Sequence, residues 1–329
     1  MRSTVHRLVA VSAAAMLLAG ACTSAASPTP GPTTEPTMAP SATVGPTATP
    51  APTNVATVPA DQLIFAGKLL VCSDMPYEPF EYFDANQNPI GSDVEIAQGI
   101  ATRLGLTAEF INSVFNTIIA AVNSGKCDII VSDQNITPDR LAQVDMIPYQ
   151  QVKQALALPK GNPAGISTEL DLCGKKIGAE TGTTEQGYLE GADLYKASGG
   201  LKKKCEDAGK PDPVSVPFQM DSDAFAALVA HHVDAYFADE PVVDSYVAKQ
   251  PDQFEKAAFT LPAIKVGISV PKPVDAAHTT ATGHTALADA VTAALIAMMN
   301  DGSYLQILQK YKVDAGAIQV SDVVINKFQ

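Results

Sequence analysis

The chain predicts an α/β fold of two lobes built on one plan, and three observations carry that expectation. Apolar runs of strand length alternate with amphipathic helical stretches over residues 69–141. The same unit then recurs. Asp128 opens an apolar run that reaches Asp133, and Asp234 opens one that reaches Asp239, each after a helix and a turn. Two helix starts also share a Thr-capped signature, Thr137-Pro138-Asp139 and Thr183-Thr184. Strands alternating with helices of this length argue for a parallel sheet.

Two segments of different character precede the folded part. Residues 1–22 read as an export signal, with Arg2 and Arg7 followed by an apolar run too short to span a bilayer comfortably. It ends Leu18-Ala19-Gly20-Ala21-Cys22, the small-residue pattern after which cleavage leaves a lipidated Cys22. Ala19 stands where Leu is usual, and a plain secretory signal cut near Ala21 is the alternative. Residues 23–60 hold nine Pro and ten Thr, no Lys, Arg or aromatic residue, and Glu35 as their one charge. Such a tract is expected to be a semi-extended tether without a core, reaching up to about 100 Å at ~3.1 Å per residue.

The formal net charge is -13, and loss of Arg2 and Arg7 takes it to -15. With no basic cluster, nucleic acid is not an expected partner. Besides Cys22 there are Cys72, Cys127, Cys173 and Cys205. Export permits disulfides. No Cys or His spacing suits a structural zinc site, so neither metal nor cofactor is expected. His231-His232 is expected at a helix end before a strand.

The elements follow in order. Residues 69–72 form a buried strand. Ser92-Asp93-Val94-Glu95 reads as a capping box for a helix whose stripe is Val94, Ile96, Ala97, Ile100, Ala101 and Leu104, closed by Gly105. A strand over 106–111, a helix marked by Phe115, Ile118, Ile119 and Val122, and a strand over 127–131 complete the first unit. In the second, residues 175–179 are a strand before the turn Glu180-Thr181-Gly182-Thr183-Thr184. Ser222 precedes a helix with Phe225, Leu228 and Val229, and 233–237 is a strand ending towards Asp239. Residues 286–311 are helical with a break at Gly302, and 271–284 are an exposed loop.

The segment 130–140 carries the chemistry. Apolar residues give way to Ser132, Asp133, Gln134 and Asn135, and a capped helix start follows with Arg140 in its first turn. Ligands of open α/β sheets sit outside the carboxyl ends of the strands. A helix N-terminus favours anions, and an Arg there adds a planar fork for a carboxylate. The segment is therefore a candidate receptor for a small carboxylate. An ordinary strand-turn-helix connection with a solvated Arg140 is the alternative.

Six stretches, in this order, resemble the extracellular solute-binding proteins of family 3, the polar amino-acid receptors of ABC importers. They are K-L-L-V-C-S-D-M-P-Y-E-P-F-E-Y-F from residue 68, G-S-D-V-E-I-A from 91, D-I-I-V-S-D-Q-N-I-T-P-D-R from 128, L-C-G-K-K-I-G-A-E-T-G-T-T from 172, V-D-A-Y-F-A-D-E-P from 233 and D-G-S-Y-L-Q-I-L-Q-K-Y from 301. The resemblance spans nearly all of residues 62–313. It implies the two-lobed type II periplasmic-binding-protein fold, with two crossover strands at the hinge and the ligand in the cleft. The lobes would be 61–152 and 267–329 for the first and 153–266 for the second.

Carried over by position, Arg140 and Thr184 would grip an α-carboxylate with help from Asn135. Asp239 and the Asp133 carbonyl would take the α-ammonium. Tyr77 and Phe115 would sandwich the ligand's aliphatic body, and Asp74 would face its side chain. The departures are acidic: Asp133 stands where relatives carry a small residue, Glu185 follows the Thr pair and Glu240 follows Asp239. With no second Arg or Lys near these positions, the expected ligand is a neutral polar or cationic amino acid. The expected protein is a monomeric, lipid-anchored, extracytoplasmic receptor that closes about its hinge and hands its ligand to an ABC permease, and no enzyme. A ligand sensor and a dehydratase of the same fold are the alternatives. A Cys173–Cys205 disulfide is expected in the second lobe, while pairing of Cys72 with Cys127 stays open.

Overall fold

A computed structural model describes residues 54–328 of the chain. The export segment with Cys22, and the tether up to residue 53, lie outside the described residues. In chain order the strands are β1 (Lys68–Ser73), β2 (Tyr82–Phe83), β3 (Pro89–Ile90), β4 (Thr107–Asn112), β5 (Ile129–Ile130), β6 (Val144–Val152), β7 (Gln154–Pro159), β8 (Lys176–Glu180), β9 (Val214–Phe218), β10 (Ala235–Asp239), β11 (Phe254–Thr260) and β12 (Ile264–Pro271). The helices are α1 (Ser92–Arg103), α2 (Ile118–Asn123), α3 (Pro138–Leu141), α4 (Thr184–Glu190), α5 (Gly200–Asp207), α6 (Asp221–Val229), α7 (Glu240–Lys249), α8 (Ala286–Asn300) and α9 (Ser303–Lys310).

One sheet has the order β4-β1-β5-β12-β6 and the other β11-β7-β10-β8-β9. In the first, β1 lies between β4 and β5 and is parallel to both. In the second, β8 lies between β9 and β10, again parallel to both. Each parallel trio is extended by an antiparallel strand that has just arrived from the other lobe, β12 beside β5 and β7 beside β10. A single residue, Lys153, separates β6 from β7, so the first crossover is nearly continuous extended chain. This is the two-lobed α/β fold with two crossovers. The antiparallel additions were not readable from the alternation of strands and helices, because their partners are distant in sequence.

Burial follows the periodicities. In α1, Ile96, Ala97, Ile100 and Ala101 are buried against β1 and α8, whose Leu287, Val291, Leu295 and Met298 form the facing stripe. Fully burying such a side chain stabilises by about 1.5–3 kcal/mol. The helices approach so closely that a Cβ on Gly99 would meet the Met298 side chain at 2.4 Å. In the second lobe Phe225 stacks on Tyr246 at 4.0 Å and meets Tyr236 edge-on at 5.4 Å. Each lobe carries its own disulfide, Cys72–Cys127 beside β1 and β5 and Cys173–Cys205 tying the segment before β8 to α5.

Two local expectations fail. The capping box at Ser92 does not form. Gly91 is the N-cap at φ 132°, and no side chain caps the helix. The free N–H groups of Ser92 and Asp93 are taken by the Pro79 and Phe80 carbonyls of the preceding loop. Glu95 instead accepts a 2.7 Å bond from the Tyr311 hydroxyl. A Cβ at position 91 would lie 2.0 Å from the Phe80 carbonyl oxygen, which is why glycine stands there. The tether also ends earlier than its composition implied. Val58 is buried in the core, and the Val55 N–H bonds the Arg103 carbonyl at 2.9 Å. The few apolar residues at the end of the Pro/Thr tract are enough to dock once a helix end is nearby.

Candidate functional site

The carboxyl ends of the strands of both sheets face a common cavity. It is lined by Asp74, Tyr77, Phe115, Asp133, Asn135, Thr184 and Asp239, seven of the eight ligand positions expected from sequence, together with Glu81, Glu180, Glu185, Met220 and Asp221. Arg140, the eighth, is not part of this wall. It stands in the adjoining groove with Asp139, Gly182 and Asp193, and Phe115 and Thr183 are shared between groove and cavity.

Each side chain is placed by local structure. Thr137 caps α3 by accepting from the Arg140 N–H at 3.3 Å, which sets Arg140 at the helix start. The guanidinium donates to the carbonyls of Asn135 at 2.7 Å and Gly182 at 2.9 Å, and lies over the Phe115 ring at 5.2 Å. It is buried and forms no ion pair among the described residues. Thr183 caps α4. The Thr184 hydroxyl accepts from Gln154 Nε2 at 2.6 Å and donates to Asn135 Oδ1, joining the lobes, while Asn135 Nδ2 has no partner among the described residues.

The remaining wall is acidic and organised in pairs. Asp74 follows β1 and accepts the Phe115 N–H at 2.9 Å. It faces Glu180, the last residue of β8, across the cleft. Asp133 follows β5 at φ 36°, a left-handed conformation that Asp tolerates. Its Oδ1 accepts from Gln150 at 2.7 Å, and its carboxyl meets that of Asp239, the last residue of β10. Asp133 Oδ2, Asp239 Oδ1, Glu180 Oε1 and Glu185 Oε1 are buried without hydrogen-bond partners among the described residues.

Behind Asp133 the acidic cluster continues into the first lobe. Asp93 accepts the Asp133 N–H at 2.7 Å and the Tyr149 hydroxyl at 2.6 Å, and Glu81 accepts from Ser132 at 2.7 Å. Burial pushes these acids up, with neighbouring carboxylates adding to the shift of Asp133, Asp239 and Glu81. Asp93 is raised to about 6, Asp221 to about 7 and Glu180 to about 11, in each case chiefly by burial. Such a site suits a small molecule with one anionic group at the Arg140 edge and cationic groups at both carboxyl pairs.

Glu180, Asp221 and Glu81 were not picked out from sequence. Glu180 could have been, since it closes the first strand of the second lobe as Asp74 follows the first strand of the first. Reading the strand as ending at Ala179 put Glu180 in the turn. Glu185 does face the cavity, but Glu240 does not. Glu240 lies on the outer side of α7, bonded to Lys256 at 2.8 Å. One residue past the strand end, the turn into α7 swings its side chain away from Asp239, so it adds nothing to the acidic wall.

The model of the bacterial extracellular solute-binding proteins, family 3, matches residues 69–314. ABC transporter arginine-binding protein 1 of Escherichia coli K12 is 26% identical over 242 residues, covering 71% of this chain and 86% of its own. A solved ancestral arginine-binding protein bound to arginine is 32% identical, with a TM-score of 0.63 over 74% of this chain and 98% of its own. An ancestral amino-acid-binding protein described as a precursor of cyclohexadienyl dehydratase is 27% identical, with a TM-score of 0.59 over 74% of this chain and 95% of its own.

Proposed function

This chain belongs to the bacterial extracellular solute-binding proteins of family 3, and from that premise we propose that it captures a cationic amino acid for delivery to an ABC importer. The observation that carries the choice of ligand is the pair of carboxyl couples, Asp133 with Asp239 and Asp74 with Glu180. The α-ammonium occupies the first and the side-chain cation the second. Arg140, Thr184 and Asn135 take the α-carboxylate, and Tyr77 and Phe115 cover the methylene chain. The bound arginine of the ancestral relative agrees with this class.

Arg140 meets the ligand by exchanging a carbonyl contact for a carboxylate. In the present closed form two of its five N–H donors go to the carbonyls of Asn135 and Gly182. A carboxylate adds its own negative charge and a two-point geometry that a single carbonyl lacks, so that exchange is favourable. Binding proceeds by closure, because only the closed form brings ligand groups from both lobes to one guest. A glutamate side chain would meet Asp74 and Glu180 with no base to pair it, and would lose its hydration.

The test is competition at pH 7 among L-arginine, L-lysine, L-glutamine and L-glutamate. Arginine or lysine binds most tightly and glutamate most weakly. Glutamate binding as tightly as the others refutes the reading. A ligand at 100 times its Kd adds about 2.7 kcal/mol of stability, so thermal shift detects it.

The protein acts as a receptor and breaks no bond in its guest. Incubation with a prephenate-like acid, followed by chromatography, leaves the acid unchanged, and turnover would establish the dehydratase reading instead. Cys22 carries the lipid that tethers the receptor to the outer face of the membrane. Cys22→Ala then releases it into the medium, whereas equal retention of both forms points to a plain secretory signal.

A further inference from the structure

The two carboxyl couples have one feature that ligand binding does not require: each takes one member from each lobe. Asp74 and Asp133 follow strands of the first sheet, and Glu180 and Asp239 end strands of the second. The members of a couple therefore meet only when the lobes do. We propose that Asp133–Asp239 and Asp74–Glu180 hold the empty cleft open at neutral pH, so that closure requires either a cationic guest or protons.

The inference rests on the reading of the cleft as a cation-binding site and adds how its closure is controlled. The four carboxyls line one buried cavity, and two carboxylates packed together there cannot both stay ionised. The surroundings offer little relief. Asp133 is faced by Asp93 from α1, Glu81 from the loop before β2, Glu185 from α4 and Asp239 from β10, with neutral Tyr149 and Gln150 from β6. Glu180 is faced by Asp74, Asp221 and Glu185. Tyr77 donates to Asp239 but brings no charge. Arg140 acts on Asp239 and Glu185 from the edge of the cavity.

Contacts that favour closure are neutral or single-charge hydrogen bonds across the cleft, Thr184 to Asn135, Tyr77 to Asp239 and Arg140 to the Gly182 carbonyl, and two ion pairs at the rim. Lys196 of the second lobe pairs with Asp139 of the first, and Lys249 of the second with Glu78 of the first. Both pairs are solvent-exposed, so water and salt weaken them. The buried like charges are screened far less, and they dominate.

The proton balance follows. When the empty lobes close at neutral pH, each couple takes one proton from solvent and becomes a carboxylic acid bonded to a carboxylate. A guest ammonium or guanidinium does the same work without a proton. Each proton taken up on closure changes the closed-to-open ratio tenfold per pH unit. Two couples make it up to a hundredfold.

The experiment is inter-lobe distance, by fluorescence transfer between one label on each lobe of the mature chain, from pH 8 to pH 5. Without ligand, the protein is open at pH 8 and closes as pH falls. With saturating L-arginine or L-lysine it is closed throughout. The double variant Asp133→Asn, Glu180→Gln closes without ligand at pH 8. Asn suits the left-handed backbone at position 133 and keeps an acceptor for Gln150. A distance that stays constant with pH in the empty wild type overturns the proposal whether or not the variant folds. If the empty protein closes in acid but neither amino acid closes it at pH 8, the gate stands and the ligand assignment falls.

Discussion

Tyr77 of the first lobe donates a 2.8 Å hydrogen bond to Asp239 Oδ2 of the second, and accepts the Asp239 N–H at 3.2 Å. The hydroxyl thus sits on the carboxylate assigned to the α-ammonium. Tyr77→Phe removes this competitor and keeps the ring. L-Arginine binding should stay within a few-fold of wild type or tighten. Tyr77→Ala loses the ring's apolar cover, about 1.5–3 kcal/mol, and should weaken binding at least tenfold. Calorimetry on the pair of variants separates ring from hydroxyl.

Arg140→Ala should abolish measurable amino-acid binding. Leaving the α-carboxylate without its desolvated partner costs about 2–5 kcal/mol. Binding within threefold of wild type, with a normal circular dichroism spectrum, would remove Arg140 from the site.

Glu180→Gln should separate ligands by charge. A hydrogen bond to a charged group contributes about 1.5–3 kcal/mol, so L-arginine should weaken by ten-fold or more. L-Glutamine should hold or gain, because a buried like charge has gone. The same loss for both ligands would place Glu180 away from the side-chain end.

Asp93 gives a stability prediction with a definite sign. Burial raises its carboxyl from 3.8 to about 6 in the folded protein. Between those values the folded chain holds a proton that the unfolded chain has lost, so stability falls as pH rises through this window. The difference amounts to a few kcal/mol at most, since one unit is worth about 1.4 kcal/mol. Melting of the ligand-free protein should come at higher temperature at pH 5 than at pH 7.5, and Asp93→Asn should narrow that gap. An unchanged gap in the variant would show that other acids set it.

The disulfides should contribute separately to each lobe. Cys173–Cys205 closes a span of 32 residues and Cys72–Cys127 one of 55. The chain-entropy model assigns about 3–4 kcal/mol to each. Non-reducing peptide mapping should recover both pairs, and reduction should lower the melting temperature without abolishing the binding of L-arginine.

What the sequence made legible was local or repeated. Thr137 and Thr183 announced helix starts because capping is settled within one turn. Asp133 and Asp239 were visible because the two lobes repeat one spacing. Glu180 was missed because one residue separates a strand end from a turn, and composition does not mark that boundary. Glu240 was misplaced for a related reason: neighbours in sequence point apart where a strand becomes a helix. The Ser92 capping box failed because carbonyls from a loop thirteen residues back took its place. The antiparallel pairing of β7 and β12 depends on contacts across the whole chain, which no local pattern encodes.

The docked end of the Pro/Thr tract has a mechanical consequence. Val55 bonds Arg103, Val58 enters the core with α1, and Gln62 accepts the Leu287 N–H at 2.9 Å. All three attachments are to the first lobe. With the lipid anchor proposed at Cys22, load arriving through residue 54 would reach the first lobe through these attachments, and the second lobe could swing shut on its cargo without hauling on that mooring.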